Sequence, residues 1–247
     1  MPLLSHVEYV QAREAYSYVD ADVTFDVVQT GTLPHTGTFQ GVFPQIVPST
    51  HPTGVNLRKL EEICETVFSD AATACGSTTP DRRENIKSVT CAIVHWKMAS
   101  QRGRAPRNVA NVQRHWTQLT HRQLISAYQY CSLSEFRIGG VRIPIASALL
   151  RFTHSQEYGI IDSRVVRHTQ RAGITTMSIR ASDGYINDTE KNVGKYRSEY
   201  ARFLTEEANL ISAAGVTFSD FDAAGNPIRA LFRPCDIEMA LFSKQEV

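Results

Sequence analysis

The chain has no apolar run approaching the roughly 20 residues that cross a bilayer, so no membrane-spanning helix is predicted. It also lacks any Cys-x-x-Cys. Its five cysteines, Cys64, Cys75, Cys91, Cys131 and Cys235, are odd in number and far apart. Spacing of this kind gives no short-range zinc site and no reason to expect disulfides, and such cysteines behave as small buried hydrophobes. There is no HExxH or HxxxH pair, no P-loop, no GxGxxG and no GxSxG elbow, which narrows the enzyme classes considerably.

One long stretch is nearly without acids. Between Asn85 and Gln156 the only acid is Glu135, against ten basic residues: Lys87, Lys97, Arg102, Arg104, Arg107, Arg114, Arg122, Arg137, Arg142 and Arg151. Net charge over the 247 residues is only +1, so the positive charge is concentrated, as a surface that neutralises phosphates requires. Solvated helix faces would explain a shorter run equally well. Hydrophobic content of 42% and charged content of 21% describe an ordinary globular chain. The opening MPLLSHVEYVQAREAY is mixed polar and acidic, unlike a cationic signal peptide. The expected setting is the cytoplasm, with the nucleoid, or the nucleus.

Residues 1 to about 57 differ from the rest. Val23, Phe25 and Val27, then TGTLPHTGTFQGVFPQIVP, are rich in Thr, Gly, Pro and β-branched residues, which predicts short strands or an extended wrap rather than helices. Beyond Asn56 the pattern turns helical. Leu57, Leu60, Ile63, Cys64, Val67 and Phe68 form one stripe, and Ile86, Val89, Ile93 and Trp96 form another, which makes Trp96 a core residue. Thr78, Pro80 and Asp81 give a helix start, and Thr120 with Gln123 gives a second. Val193, Tyr196, Tyr200, Phe203, Leu204, Ala208 and Ile211 make a long stripe ending at Gly215, with the tyrosines as core packing. Pro234 and Asp236 open a last short helix.

The most informative segment is 138–162, IGGVRIPIASALLRFTHSQEYGIID. Gly139 and Gly140 are the only adjacent glycines in the chain, and glycine admits positive φ and close approach of another molecule. Pro144 suits a first helical position. Ile145, Ala146, Leu149 and Phe152 follow at helical spacing, with Ala146, Ser147 and Ala148 keeping the helix thin. Backbone N–H groups of a tight turn leading into a helix N-terminus form a site for a phosphate oxygen. Asp162, between Ile160-Ile161 and Ser163-Arg164, is placed to cap the next helix. A capped carboxylate at the mouth of a cleft is also oriented for chemistry, and the two roles are compatible.

This segment resembles the helix-hairpin-helix DNA glycosylase superfamily of the endonuclease III kind, whose hairpin reads roughly Leu-Pro-Gly-Val-Gly and whose essential Asp follows after another helix. Ile138, Gly139, Gly140 and Val141 occupy the first four hairpin places, Ala146 the small helix residue, and Asp162 lies eighteen residues beyond Pro144, a separation similar to the family's. Close likeness covers Ile138 to Arg167. Two departures stand out. Arg142 replaces the second hairpin glycine, so either the turn is distorted or the guanidinium itself reaches a phosphate or the flipped base. Pro144 stands where bifunctional members carry their Schiff-base lysine, which excludes imine chemistry at that position. The four-cysteine iron–sulfur motif of some relatives is absent, with only Cys235 in that region.

The resemblance implies a mainly α, two-lobed helical glycosylase-like fold over residues 58–247, with the helix-hairpin-helix at about 121–154 and residues 1–57 as a non-helical or β-containing extension. It implies a monomeric, monofunctional DNA N-glycosylase of base excision repair. Such an enzyme flips a damaged or modified base out of double-stranded DNA and hydrolyses its N-glycosidic bond. Asp162 would be catalytic, and Gly139, Gly140, Val141, Arg142, Arg102, Arg104 and Arg107 would bind DNA. Tyr185, in the 174–188 loop, is a candidate wedge or base-pocket residue against the plainer reading of a surface-loop tyrosine. No metal and no organic cofactor is expected, although a monovalent cation at the hairpin is compatible with the family. Two other readings remain: a non-catalytic DNA-binding protein that kept the fold, and a helical protein whose turn and cap only mimic the motif.

Overall fold

Helical stripes and their caps account for most of the architecture. A computed structural model describes residues 3–16, 24–25, 46–47, 57–74, 79–98 and 105–244. In chain order the elements begin with α1 (His6–Ala15), β1 (Thr24–Phe25), β2 (Ile46–Val47), α2 (Leu57–Thr73), α3 (Pro80–Met98), α4 (Ala105–Arg114) and α5 (Gln118–Gln129). They continue with α6 (Ile143–Thr153), α7 (Ser163–Arg171), α8 (Glu190–Lys195), a π-helical turn (Tyr196–Ala201), α9 (Arg202–Ala213), β3 (Thr217–Phe221), β4 (Pro227–Leu231) and α10 (Pro234–Ser243). The described chain is mainly helical, with a small antiparallel hairpin, β3–β4, near its C-terminal end. None of its helices is long and apolar enough to cross a membrane.

The non-helical reading of residues 1–57 is corrected at one place. His6–Ala15 form a helix because Ser5 accepts from the Glu8 N–H while the Glu8 carboxylate accepts from the Ser5 N–H, a reciprocal cap that satisfies two backbone donors. Tyr9 and Ala12 on this helix are buried, so α1 belongs to the helical body. Thr24–Phe25 pair antiparallel with Ile46–Val47, a strand pair of the short kind expected. Most of TGTLPHTGTFQGVFPQIVP lies outside the described residues.

Two packed groups follow from the helix contacts. One contains α2, α3, α4, α5 and α6; the other contains α1, α7, α9, the β3–β4 hairpin and α10. Within the first, α6 is buried along nearly its whole length, including Ile145, Ala146, Ala148, Leu149 and Phe152, and its small residues admit α2 and α3 at close range. Leu60, Ile63, Cys64, Val67 and Phe68 of α2 form the expected buried stripe, as do Ile86, Val89 and Ile93 of α3. Trp96 meets Phe152 edge-on at 5.0 Å, a core role as expected. The described cysteines, Cys64, Cys91, Cys131 and Cys235, are free thiols, and burial pushes the Cys235 thiol up to about 12.

A chain of buried opposite charges joins the groups. Arg151 of α6 lies 2.6 Å from Glu61 of α2, which Arg233 also contacts at 2.7 Å. Arg233 then meets Asp236 at 2.9 Å, Asp236 meets Arg13 of α1 at 3.0 Å, and Arg13 reaches Asp220 of β3 at 3.4 Å. Arg58 of α2 closes the path on Asp220 at 2.9 Å. These neighbours decide the ionisation of the acids. Burial alone would raise Glu61, but Arg151 and Arg233 outweigh it and hold the carboxyl below its usual range.

Candidate functional site

The hairpin forms as its glycines require. The Val141 N–H donates to the Ile138 carbonyl at 2.8 Å, closing a four-residue turn whose third residue, Gly140, has φ of +82°. That value suits glycine at this turn position, and a Cβ there would also come within 2.9 Å of Asn111 on α4. Val141 is buried, while Arg142 is exposed with an extended backbone, so the guanidinium at the altered position points outward and leaves the turn intact. Helix α6 then starts at Ile143, with Pro144 in its first turn as expected.

The N-terminus of α6 is already engaged. Asp188, from the loop before α8, accepts from the Ile143 N–H at 3.3 Å and pairs with Arg137 at 3.1 Å. A carboxylate on the first turn of a helix occupies the place where a phosphate oxygen is favoured. Replacing Asp188 with alanine frees that donor, leaves Arg137 with Glu190 alone and removes a negative charge. Duplex DNA should then bind several-fold more tightly in a fluorescence-anisotropy titration at low salt; unchanged affinity would mean that DNA does not approach this helix end.

Asp162 caps α7. Its Oδ1 accepts from the Arg164 N–H at 2.8 Å and from the Arg164 Nε at 3.3 Å, whereas Oδ2 faces the Lys97 ammonium at 3.8 Å, beyond hydrogen-bond length. One oxygen is therefore structural, and the other opens toward a cation supplied by α3. Asp162 and Lys97 are 20% and 17% exposed, so the pair is sheltered yet reachable. Arg164 also lies over the Phe242 ring at 3.7 Å, which ties the cap to α10.

The backbone leading to Asp162 is held at successive groups. The Tyr196 hydroxyl donates to the Gly159 carbonyl at 2.7 Å, and the Tyr200 hydroxyl donates to the Ile160 carbonyl at 2.8 Å. The Ser147 hydroxyl accepts from the Ile161 N–H at 2.9 Å. Both tyrosines are buried, as their stripe predicted, but their hydroxyls add a second role that periodicity does not reveal. The π-helical turn brings the two hydroxyls to adjacent carbonyls. Ser147 lies four residues into α6, about 6 Å along the axis from Ile143. Asp162 is thus anchored close to the hairpin end of α6.

The other predicted residues divide. Tyr185 is half-buried beside the Arg180 guanidinium, 5.8 Å from its ring, on a small turn bridged by Ile179 and Ile186. Arg102 and Arg104 lie outside the described residues; Arg107 falls on α4, but its side chain is not among those described. Arg151 does not contribute to a basic face, because it is only 1% exposed and committed to Glu61. Arg137 is held by Asp188 and Glu190. Arg114, Arg122 and Arg142 remain exposed. Two features went unread in the sequence: Lys97 as the partner of Asp162, and an exposed row of Arg164, Arg167 and Arg171 along α7. The spacing of that row signals one helix face once the Asp162 cap fixes where α7 begins. No group of His, Cys, Asp and Glu suited to a metal ion occurs among the described residues.

Compared with models of protein families, with curated proteins and with solved structures, the chain matches none of them.

Proposed function

We propose that the protein is a monofunctional DNA N-glycosylase that removes a damaged or modified base from double-stranded DNA. The observation that carries this reading is the placement of Asp162, with one oxygen capping α7 and the other open toward Lys97, beside the end of α6 that begins at the Gly139–Gly140 turn. The two groups of helices are read as the lobes of a glycosylase-like fold, with Lys97 of one group and Asp162 at the edge of the other marking the cleft between them.

In this reading the turn and the α6 N-terminus hold phosphates beside the target nucleotide once Asp188 gives up the Ile143 N–H. Arg142 and the exposed Arg167 and Arg171 of α7 supply further cationic contacts that fix position without reading sequence. Extruding the base costs a few kcal/mol, which those contacts offset. As the C1′–N bond breaks, its electron pair leaves with the base and positive charge grows on the sugar. The Asp162 carboxylate, held before the reaction starts, stabilises that charge without reorganising solvent. Its free oxygen orients or deprotonates the water that adds to C1′, leaving an abasic site in an intact strand. Pro144 offers no amine for a covalent step.

Mass spectrometry of free bases released from duplexes carrying oxidised, alkylated, deaminated or hypermodified bases tests the proposal, and release from at least one duplex is expected. Strand incision with borohydride trapping at Lys97 would place the reaction in the lyase class instead. Salt-sensitive binding without release from any duplex would favour the non-catalytic DNA-binding reading, and no salt-sensitive binding at all would favour the reading in which the turn and cap only mimic the motif, for which the engagement of the α6 N-terminus by Asp188 is the supporting observation.

A further inference from the structure

A cleft of about 590 Å³ opens between the turn that ends α5 and the junction of α8 with the π-helical turn, and Asp162 is not among the residues that line it. Small-molecule pockets span roughly 300–1,000 Å³, so the size suits such a ligand. Both walls depart from regular backbone. On one, Cys131 has φ of +48°, the only positive φ at a non-glycine residue among those described. The Ser132 N–H donates to the Ala127 carbonyl at 2.9 Å and the Cys131 N–H to the Tyr128 carbonyl at 3.2 Å, a helix ending that ordinarily takes glycine where Cys131 stands. The other wall includes Tyr196 and Arg197 of the π-helical turn, a form of backbone that recurs at functional sites.

The floor is apolar and aromatic. Leu150 of α6 is buried there with Tyr158 and Tyr196, whose rings stack with centroids 6.1 Å apart and 19° between their planes. Tyr130 also lines the cleft and is 72% exposed, an aromatic face left to solvent. Two charges of opposite sign stand on opposite walls: Glu135, half-buried, follows α5, and Arg197, exposed, belongs to the π-helical turn. Neither side chain makes a hydrogen bond or ion pair among the described residues, with the other or with any third group. A ligand that carries both charges satisfies both side chains at once.

We infer that this cleft binds a free aromatic α-amino acid, with the ring packed on the aromatic floor beside Tyr130, the carboxylate on Arg197 and the ammonium on Glu135. The inference goes beyond the DNA reading and does not depend on it. Charge complementarity selects the class. An anion alone, such as a phosphate, leaves Glu135 unmatched and is repelled by it, and a cation alone meets the same objection at Arg197. A zwitterion meets neither. The guanidinium can grip a carboxylate through two parallel N–H donors, which fixes that end of the ligand. The ring at the other end supplies apolar area to bury and a partner for the tyrosines, and aromatic pairs are worth more than their area alone.

Titration calorimetry at neutral pH with L-phenylalanine, L-tyrosine and L-tryptophan tests the inference, and at least one should bind with a Kd below about 1 mM. L-Alanine lacks the ring, 3-phenylpropanoate the ammonium and phenethylamine the carboxylate, and each should bind roughly tenfold more weakly or worse. Arg197→Gln and Glu135→Gln should each weaken the best ligand by a similar factor. Their melting temperatures should match the wild type, because neither side chain holds another group in place. The bound ligand should also slow alkylation of the half-buried Cys131 by a maleimide, read by peptide mass spectrometry against the buried Cys64, Cys91 and Cys235. Absence of binding by all three amino acids at millimolar concentration overturns the inference. So does binding that both glutamine variants leave unchanged, binding that leaves Cys131 alkylation unaltered, or equal affinity for 3-phenylpropanoate or phenethylamine.

Discussion

Asp162→Asn should lower the rate of base release by two or more orders of magnitude, roughly the span attributed to a placed charge or a general base, while duplex binding changes little. The expectation follows from the division of labour between the two carboxylate oxygens. Asparagine keeps an oxygen for the Arg164 N–H, so the α7 cap survives at a cost of a few tenths of a kcal/mol up to about 1. It loses the negative charge facing Lys97, which is the part that acts on a cationic sugar. Single-turnover release assayed beside anisotropy binding separates the two. If the variant releases base at the wild-type rate, Asp162 is a cap and nothing more. Loss of binding together with release would show that the acid holds the DNA-contacting surface in place.

The second large effect lies away from the site. Asp236→Ala should destabilise the fold by about 3–5 kcal/mol, because it leaves Arg13 and Arg233 buried without their shared carboxylate. For a chain of this size that is a fall in Tm on the order of 10 °C, readable by calorimetry. Asp236 also caps α10 by accepting from the Arg233 N–H at 3.0 Å, so the start of that helix weakens as well. Burial opposes its ionisation, and Arg233, Arg13 and Arg58 overcome that, holding its carboxyl far below the usual range. A depressed carboxylate stabilises the fold above its unfolded value and loses that contribution as pH falls through the folded one. Stability should therefore decline below about pH 4, less steeply in Asp236→Ala than in the wild type. A variant melting within 1 °C of the wild type, a shift of about 0.5 kcal/mol or less, would show that the shared carboxylate is not needed to keep Arg13 and Arg233 buried.

The two expectations are linked through α10. Asp236 locks its first turn to Arg13 of α1 and, through Arg233, to Glu61 of α2, and two residues on Glu238 packs beside Gly159 in the segment that leads to Asp162. Disrupting the ion chain should thus lower activity by displacing that segment before the protein unfolds, whereas Asp162→Asn should leave the melting curve nearly unchanged.

Local signals were readable where one short stretch decides the outcome. The Gly139–Gly140 turn, the start of α6 near Pro144, the Asp162 cap, the stripes of α2 and α3 and the opening of α10 at Pro234 each depend on residues within one or two turns, where backbone φ, missing N–H groups and side-chain caps act directly. The start of α5 was misread by one turn. Thr117 rather than Thr120 is its cap, because the Thr120 hydroxyl donates instead to the His115 carbonyl. Helix α1 was missed although Ser5 and Glu8 spell its capping box, because the Thr-, Gly- and Pro-rich stretch that follows dominated the reading. The β3–β4 hairpin was also missed. Strand β3 alternates buried Phe218 and Asp220 with exposed Ser219 and Phe221, but an acid on the buried face looks wrong until Arg13 and Arg58 are seen beside it.

The amino-acid order carried the helical class, the turn, the cap and the concentration of positive charge, because spacing along one chain is enough to specify them. Only folding in three dimensions decided which charges remain free. Arg151 stands among ten basic residues in sequence yet is buried against Glu61, ninety residues earlier, while Lys97 reaches Asp162 across sixty-five. The same holds for Glu238, an acid like any other in a helical stripe until Gly159 admits it beside the segment that carries Asp162. Electrostatic energy depends on distance and burial, and neither is set by position in the chain.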